Sequence, residues 1–372
     1  MTVQQKQQEQ EQALLKLRDK IDLIDQQIHQ LINQRATCAQ EVAHVKEKFQ
    51  GADDAVFYRP EREAQVLRKV MLRNTGPLED KAVARLFREV MSVCLAHEKP
   101  LQIAFLGPAG AFAQLASHKH FGSSVSAIAV NSLDQVFNEV HSAVVNYGVV
   151  PINNSSHGVA TQTLDLFKRY PLSICGEVEL EIHLHLYSTQ SVGLPLVRKV
   201  YGLSETLAQS SKWLDHHCPT ASRIALDNMD QALQMAGQDD ACAVIAGDGA
   251  VVGQWQVIAQ NVSSNNEHKA RFLIIGHQQI SPSGQDKTSI LIATKDQPGA
   301  LYSLLSPFRE NQISITHIDT YQSESVLGAD CSVFYLEFEG HQSEPEIVDI
   351  LVQLKNNSVE IKILGSYPRA VL

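Results

Sequence analysis

The sequence predicts a chain of three parts: an all-α beginning, an α/β centre and a small βαββαβ end. Three observations predict this. Residues 13–98 are rich in helix formers and show no strand-like alternation, with Gly and Pro confined to two gaps, at Gly51 and Pro60 and at Gly76-Pro77. Residues 101–277 alternate short apolar runs (IAFLG, YGVVP, CAVIAG, FLIIG) with helical stretches, the pattern of an α/β region. Residues 288–367 run strand (TSILIAT), helix (ALYSLLSPFREN), two strands (ISITHIDTYQ, CSVFYLEFEG), a helix and a last strand. The expected boundaries are a disordered polar start at 1–10, a helical unit at 11–99, the α/β unit at 101–277, a polar linker at 278–287 (QQISPSGQ and its flank) and the final unit at 288–367.

Bulk properties narrow the function. The length of 372 residues fits two to three domains, and a 44% hydrophobic content supplies ample core. A net charge of −10 argues against a nucleic-acid binder, so any anionic ligand must meet a local cluster of cations. The six cysteines form no C-x-x-C pair, which indicates neither a disulfide framework nor a zinc ribbon. The opening MTVQQKQQEQEQ has no apolar stretch of the signal-peptide kind, and no long apolar run follows it. A cytoplasmic protein without membrane contact is expected.

In the first helix, Leu14, Leu17, Ile21, Ile24, Ile28, Leu31, Cys38, Val42 and Val45 make a heptad seam. Arg35 fills the place between Leu31 and Cys38. A charge on such a seam is costly unless paired, so Arg35 either fixes register or meets an anion. Arg35 and Lys46 share a helix face about 16 Å apart, close enough for long side chains to converge on a small anion. Arg18 lies about 25 Å from Arg35 along the axis and on another face, out of reach of the same ligand within one chain. If all three serve one site, Arg18 comes from a second subunit, and the long seam also asks for a partner helix. Both point to a homodimer or a larger homo-oligomer.

The string LLKLRDKIDLIDQQIHQLINQRATCAQEVAHVKEKF, with FYRPEREAQVL and RLFREVMSVCLAHE, resembles the all-helical class of chorismate mutase. The resemblance implies conversion of chorismate to prephenate, a step of phenylalanine biosynthesis. It implies that Arg35 and the partner chain's Arg18 hold the two substrate carboxylates, that Lys46 contacts the ether oxygen, and that Glu63 accepts from the substrate hydroxyl. Arg59, Arg62 and Cys94 fall at positions that line the family's pocket. Cys94 stands where some members have serine, and a small core residue is its other reading. The reaction is a pericyclic rearrangement, so the protein helps by holding the compact conformer and by placing donors where charge grows on the ether oxygen. Lys46 is one donor. Glu98 stands where some members have Gln, and it donates only when protonated.

The centre resembles prephenate dehydratases through IAFLGPAGAFAQLASHKHFG, YGVVPINNSSHGVATQTLDLF, ICGEVELEIHLHLYS, LAQSSKWLDHHCP and ARFLIIG. Together with the helical unit it resembles the bacterial bifunctional chorismate mutase–prephenate dehydratase family. The resemblance implies two α/β subdomains with a cleft between them, and no cofactor. Expelling hydroxide from prephenate needs a proton donor. The family's threonine before Arg-Phe is Ala270 here, and its Asn-x-Thr stretch reads His268-Lys269-Ala270. Its Glu-Asn-Ser/Thr motif reads Asn153-Asn154-Ser155, its Ser-His pair reads Gly202-Leu203, and Ala111 replaces the hydroxyl residue of its GPxG(T/S) turn. Asn154, Ser155, Gln209, Arg271 and Phe272 remain as cleft candidates beside Ala270. Three readings stay open: a weak dehydratase using His268 or Lys269, a prephenate decarboxylase, and a silent domain kept for structure, assembly or ligand binding. Arg271 either holds a substrate carboxylate or pairs with a carboxylate of the fold.

Other patterns are decoys. AGDGAVVG places its third glycine, Gly253, one residue late for a dinucleotide fingerprint. His183 and His185, and the run His216-His217-Cys218, are explained by strand alternation and a helix end, so no metal is expected. The last unit resembles an ACT regulatory domain, with Gly299, Ala300 and Leu301 at the turn that opens its first helix. The resemblance implies phenylalanine as a possible effector, although the family's Glu-Ser-Arg-Pro motif reads Asp319-Thr320-Tyr321-Gln322 and lacks both the arginine and the proline. A structural or dimer-forming role is the other reading.

Overall fold

The computed structural model describes residues 3–51, 56–107, 112–154, 158–159, 161–181, 183–189, 193–226, 228–239, 241–247, 251, 253–263, 269–321 and 331–372. Helix α1 (Val3–Gln50) is continuous over 48 residues, about 72 Å long at 1.5 Å per residue. The Gln-rich start, expected to be disordered, is helical from Val3 onward. Gln, Glu, Lys and Ala are good helix formers, and extending an existing helix needs no new nucleus. Helix α2 (Pro60–Leu72) starts with Pro60 in its first turn, where no amide hydrogen is needed, and with Glu61 and Glu63 near its positive end. A turn fastened by Asn74, whose amide donates to the Leu78 carbonyl and to Asp80, leads into α3 (Asp80–Glu98). Helices α2 and α3 bury Ala64, Leu67, Val70 and Ala84, and α3 also packs on α1. The seam of α1 is left open: Ile21 is 55% exposed and Leu31 63%.

Two lobes follow. The first holds β1 (Gln102–Leu106), α4 (Phe112–Phe121), β2 (Ser126–Val130), α5 (Leu133–His141), β3 (Tyr147–Asn154), β4 (Gly158–Val159), α6 (Thr161–Arg169) and β5 (Ser173–Glu181). The second holds β6 (Leu184–Ser188), β7 (Lys199–Leu203), α7 (Ser204–Gln209), α8 (Ser211–His217), β8 (Ser222–Leu226), α9 (Met229–Ala236), β9 (Cys242–Gly247) and β10 (Gln256–Ala259). Strand β11 (Lys269–Gly276) then returns to the first sheet, so the chain crosses between the lobes twice. The first sheet has the order β2-β1-β3-β11-β5, parallel across its first three strands and antiparallel at β11, with β4 beside β3. The second has the order β10-β6-β9-β7-β8. One apolar cluster, including Phe105, Val149, Ile274, Leu186, Val200 and Ile245, runs through both lobes.

The C-terminal unit is β12 (Asp286–Lys295), α10 (Ala300–Glu310), β13 (Ile315–Tyr321), β14 (Cys331–Glu339), α11 (Pro345–Asn357) and β15 (Glu360–Pro368). Its antiparallel sheet has the order β13-β14-β12-β15. Strand periodicity divides β12 between two cores. Ile290 and Ile292 pack with Leu304, Phe308 and Ile350 under the unit's own helices, whereas Leu291 and Ala293 join Phe137, Leu164 and Leu273 of the first lobe. The segment expected to be a linker is therefore packed. Ile280 and Ser283 are buried, Ser283 donates its amide and hydroxyl to Asp286, His341 binds the Ile280 carbonyl, and the strand starts at Asp286. Its polar side chains satisfy one another, which allows a polar stretch to be buried.

Candidate active site

Helices α1, α2 and α3 enclose a cleft of about 310 Å³ together with the segment 57–59. Arg35, Lys46, Arg59, Arg62, Glu63, Cys94 and Glu98 all line it, so one cavity gathers seven of the eight residues singled out in the helical unit. Arg18, the eighth, is exposed and stands seventeen residues before Arg35 on the same helix, outside the cleft. Lys46 is steered by two backbone acceptors, the carbonyls of Val56 at 2.9 Å and Phe57 at 3.3 Å. Burial lowers its pKa, as does the charge of Arg59, while Glu98 and Glu61 work the other way. Burial raises the Glu98 carboxyl above the ordinary carboxylate range, against the pull of Lys46 and Arg35. Among the described residues neither Arg35 nor Lys46 forms an ion pair, so the cleft carries positive charge that the fold does not neutralise.

Glu63 differs from Glu98. Its side chain is 14% exposed, and burial raises its pKa, but it is held by Arg88, whose Nε donates to Oε1 at 3.0 Å. The Nη1 of Arg88 donates in turn to the Lys119 carbonyl at 2.6 Å, at the end of α4 in the first lobe. The Tyr58 hydroxyl lies 3.1 Å from Nε2 of His120, and it too favours the ionised form of Glu63. Phe121 of α4 completes the cleft wall. Glycines at the ends of this contact permit it. Gly122, at φ +81°, ends α4 against Ser92, where a Cβ would come within 2.4 Å, and a Cβ on Gly176 would strike the His120 ring at 2.7 Å.

Sequence reasoning missed Arg88, Tyr58 and Phe121. Arg88 did leave a signal. It lies between Ala84 and Ser92 at helical spacing on the buried face of α3, a cation in a small-residue stripe just as Arg35 is a cation in an apolar seam. Tyr58 sits outside any periodic element, and Phe121 belongs to another domain.

The lobed unit arranges its candidates differently. Ala270 on β11 pairs in register with Asn154 on β3 and Leu180 on β5, and it is buried with Phe272 in the cluster shared by the lobes. Arg271 lies on the opposite face of β11, toward the C-terminal unit. Its Nη2 binds Glu177 of β5 at 2.8 Å and Glu337 of β14 at 2.9 Å, and Lys287 of β12 binds Glu177 at 2.9 Å. Burial would raise Glu177, but Lys287 and Arg271 outweigh it and hold the carboxyl below its ordinary value. Of the two readings of Arg271, the structure thus holds it on carboxylates of the fold, and it does not share a face with Ala270. Gln209 is buried at the end of α7. Gly202 has Thr206 Oγ1 3.0 Å and the Ile245 carbonyl 3.2 Å from where a Cβ would stand, so a serine there would need its neighbours to shift. Ser155, Ala111 and His268 lie outside the described residues. In the last unit, Gly299 caps α10 at φ +84°, with Ala300 and Leu301 opening the helix. Asp319 pairs with His317 at 2.7 Å, and Gln322 lies outside the described residues.

The sequence profile of chorismate mutase type II matches residues 17–99, and that of prephenate dehydratase matches residues 103–280. A bifunctional chorismate mutase/prephenate dehydratase of Pseudomonas aeruginosa is 45% identical over 96% of this chain and 98% of its own length. The chain belongs to the bifunctional chorismate mutase/prephenate dehydratase family. A second member, from Neisseria gonorrhoeae, is 38% identical over 97% of this chain and 99% of its own. Among solved structures, a prephenate dehydratase from Arthrobacter aurescens, in complex with L-Phe, covers 73% of this chain and 90% of its own at a TM-score of 0.63 and 25% identity. The family's mutase part corresponds to the helical cleft and its dehydratase part to the two lobes. No helix among the described residues is long and apolar enough to cross a membrane.

Proposed function

We propose that the chain is a chorismate mutase joined to a dehydratase-family domain that does not expel hydroxide through residue 270. The observation that carries the first part is the gathering of Arg35, Lys46, Arg59, Arg62, Glu63, Cys94 and Glu98 around one cleft. Its volume lies at the lower end of the range for small-molecule sites. In this reading Arg35 holds one carboxylate of chorismate, Lys46 and a protonated Glu98 donate to the ether oxygen as its bond breaks, and an ionised Glu63 accepts from the ring hydroxyl. No covalent intermediate forms, and the cleft lowers the barrier by selecting the compact conformer and stabilising the developing charge. The second carboxylate falls to Arg18 of a partner subunit, and the exposed seam of α1 supplies the dimer contact that brings it there.

The second part rests on Ala270, which offers no proton donor, and on Arg271, which is occupied by Glu177 and Glu337. Three units divide the work: residues 11–99, 101–277 and 288–367. For the last, the helix-opening turn Gly299-Ala300-Leu301 and the L-Phe complex of the Arthrobacter aurescens relative support an ACT-type effector site for phenylalanine. Calorimetric titration with phenylalanine tests it, and the absence of binding at millimolar concentration overturns it. Chorismate supplied to the purified protein tests the rest. Accumulated prephenate is the expected product. Phenylpyruvate, formed with release of carbon dioxide and water, would overturn the silence of the second domain. A non-aromatic decarboxylated keto acid would make that domain a decarboxylase. Chorismate left unconsumed would overturn the mutase reading itself.

A further inference from the structure

Glu63 has an unusual supporting shell for a cleft carboxylate. The guanidinium that holds it, only 10% exposed, is held by another domain. The Lys119 carbonyl belongs to the last turn of α4, where backbone acceptors lack helical partners and the helix carries partial negative charge. Arg88 meets both needs at once: it satisfies that acceptor and keeps its Nε on Glu63. Gly122 and Ser92 let the end of α4 approach closely enough for this. We propose that Arg88 is a positioning residue of the mutase cleft, and that the end of α4, by fixing Arg88, makes the dehydratase-family domain a working part of that cleft. The proposal rests on the mutase reading above.

Arg88 acts on Glu63 through charge as well as through geometry. A buried carboxylate without a partner takes up a proton, and a protonated Glu63 no longer offers an ionised acceptor to the substrate hydroxyl. Other charges surround it. Helix α1 contributes Arg35 and Lys46, and α2 contributes Arg59, Glu61 and Arg62. Glu98 stands on α3, Lys119 and His120 on α4, Glu177 on β5, and Arg369 on the C-terminal segment. Among the described residues Arg88 is the only cation within 4 Å of the Glu63 carboxylate. His120 adds no charge near neutrality, because burial pushes its pKa down to about 3. Arg88 is therefore the cation that fixes both the direction and the ionisation of Glu63. The domain that lacks the dehydratase's proton donor keeps a role through a backbone carbonyl.

The test uses the full-length protein and the pH dependence of kcat/KM for chorismate. Arg88→Gln is expected to lower kcat/KM at pH 7.5 by about tenfold or more. It is also expected to move the acid limb of the profile to higher pH by about one unit. Arg88→Lys, which keeps a cation, should recover most of both. Gly122→Ala, which pushes the end of α4 away from Ser92, should move the limb in the same direction. A folded Arg88→Gln protein with wild-type kcat/KM and limb overturns the positioning role alone. If that variant does not fold, Gly122→Ala decides, since it displaces the acceptor that fixes Arg88, and an unmoved limb there overturns the proposal. A wild-type limb in Gly122→Ala overturns the part assigned to α4. A wild-type protein that leaves chorismate untouched overturns the mutase reading, and with it this one.

Discussion

Arg35 and Arg271 are both arginines set in apolar patterns, one on a helical seam and one on a buried strand, yet the fold treats them in opposite ways. Arg271 is neutralised from within: Glu177, shared with Lys287, and Glu337 pair with it at the junction of the first lobe and the C-terminal sheet. Arg35 is left facing an open cleft beside Lys46, and Glu98 in the same cleft is biased toward its neutral form. A cation in an apolar context marks a ligand site only when the structure declines to pair it. Arg88 falls between the two cases, since it is paired, but with a carboxylate that itself lines the cleft.

The contrast is breakable. Arg35→Ala should reduce mutase kcat/KM by about 100–1000-fold while leaving the melting temperature nearly unchanged. Arg271→Ala should do the reverse: mutase kinetics stay at the wild-type level, and urea denaturation shows a loss of about 3–5 kcal/mol because buried Glu337 loses its cation and buried Glu177 keeps only Lys287. Similar kinetic effects from both would erase the distinction. A smaller effect sharpens it. Glu98 donates only while protonated, so the wild-type rate should fall as pH rises through its raised pKa, and Glu98→Gln, a donor at every pH, should flatten that side of the profile. An unchanged profile would remove Glu98 from the chemistry.

The smallest effect concerns the junction rather than the cleft. His120 is neutral when folded, with a pKa of about 3 against 6.5 for the free side chain. Below pH 6.5 the unfolded chain takes up a proton that the folded one refuses, so stability is lost as pH falls from 6.5 toward 3. By pH 5 the loss should reach about 1–2 kcal/mol. Urea midpoints measured at pH 7 and pH 5 should show it in the wild type and show less of it in His120→Asn.

Much of this was legible in the sequence where a local rule governs. The heptad seam gave α1 and singled out Arg35, and short apolar runs marked β1, β3, β9 and β11 of the lobes and the strands of the last sheet. Family resemblance named Glu63 and Glu98, and both line the cleft. What escaped was long-range. Nothing near Arg88 in sequence announces that its second acceptor is the Lys119 carbonyl, and nothing near Arg271 announces Glu337. The polar stretch around Ser283 read as a linker because its composition is that of one, while the partners that bury it, Arg68 and His341, lie in other units. The polar start of α1 read as disordered because polarity was taken as a loop signal, although its residues are good helix formers.

The span of these contacts also bears on how the molecule comes into being. A ribosome releases the three helices before the lobes, with the apolar side of α1 uncovered. The acceptor for Arg88 emerges 31 residues later, and those for Arg68, on Ser283, 215 residues later. Maturation of the helical segment therefore waits on segments made after it, contacts of long sequence separation that form slowly. During that interval the nascent rod offers the same sticky stripe to every copy leaving the same polysome, and assembly with a sister chain competes with aggregation before the cleft has its final shape.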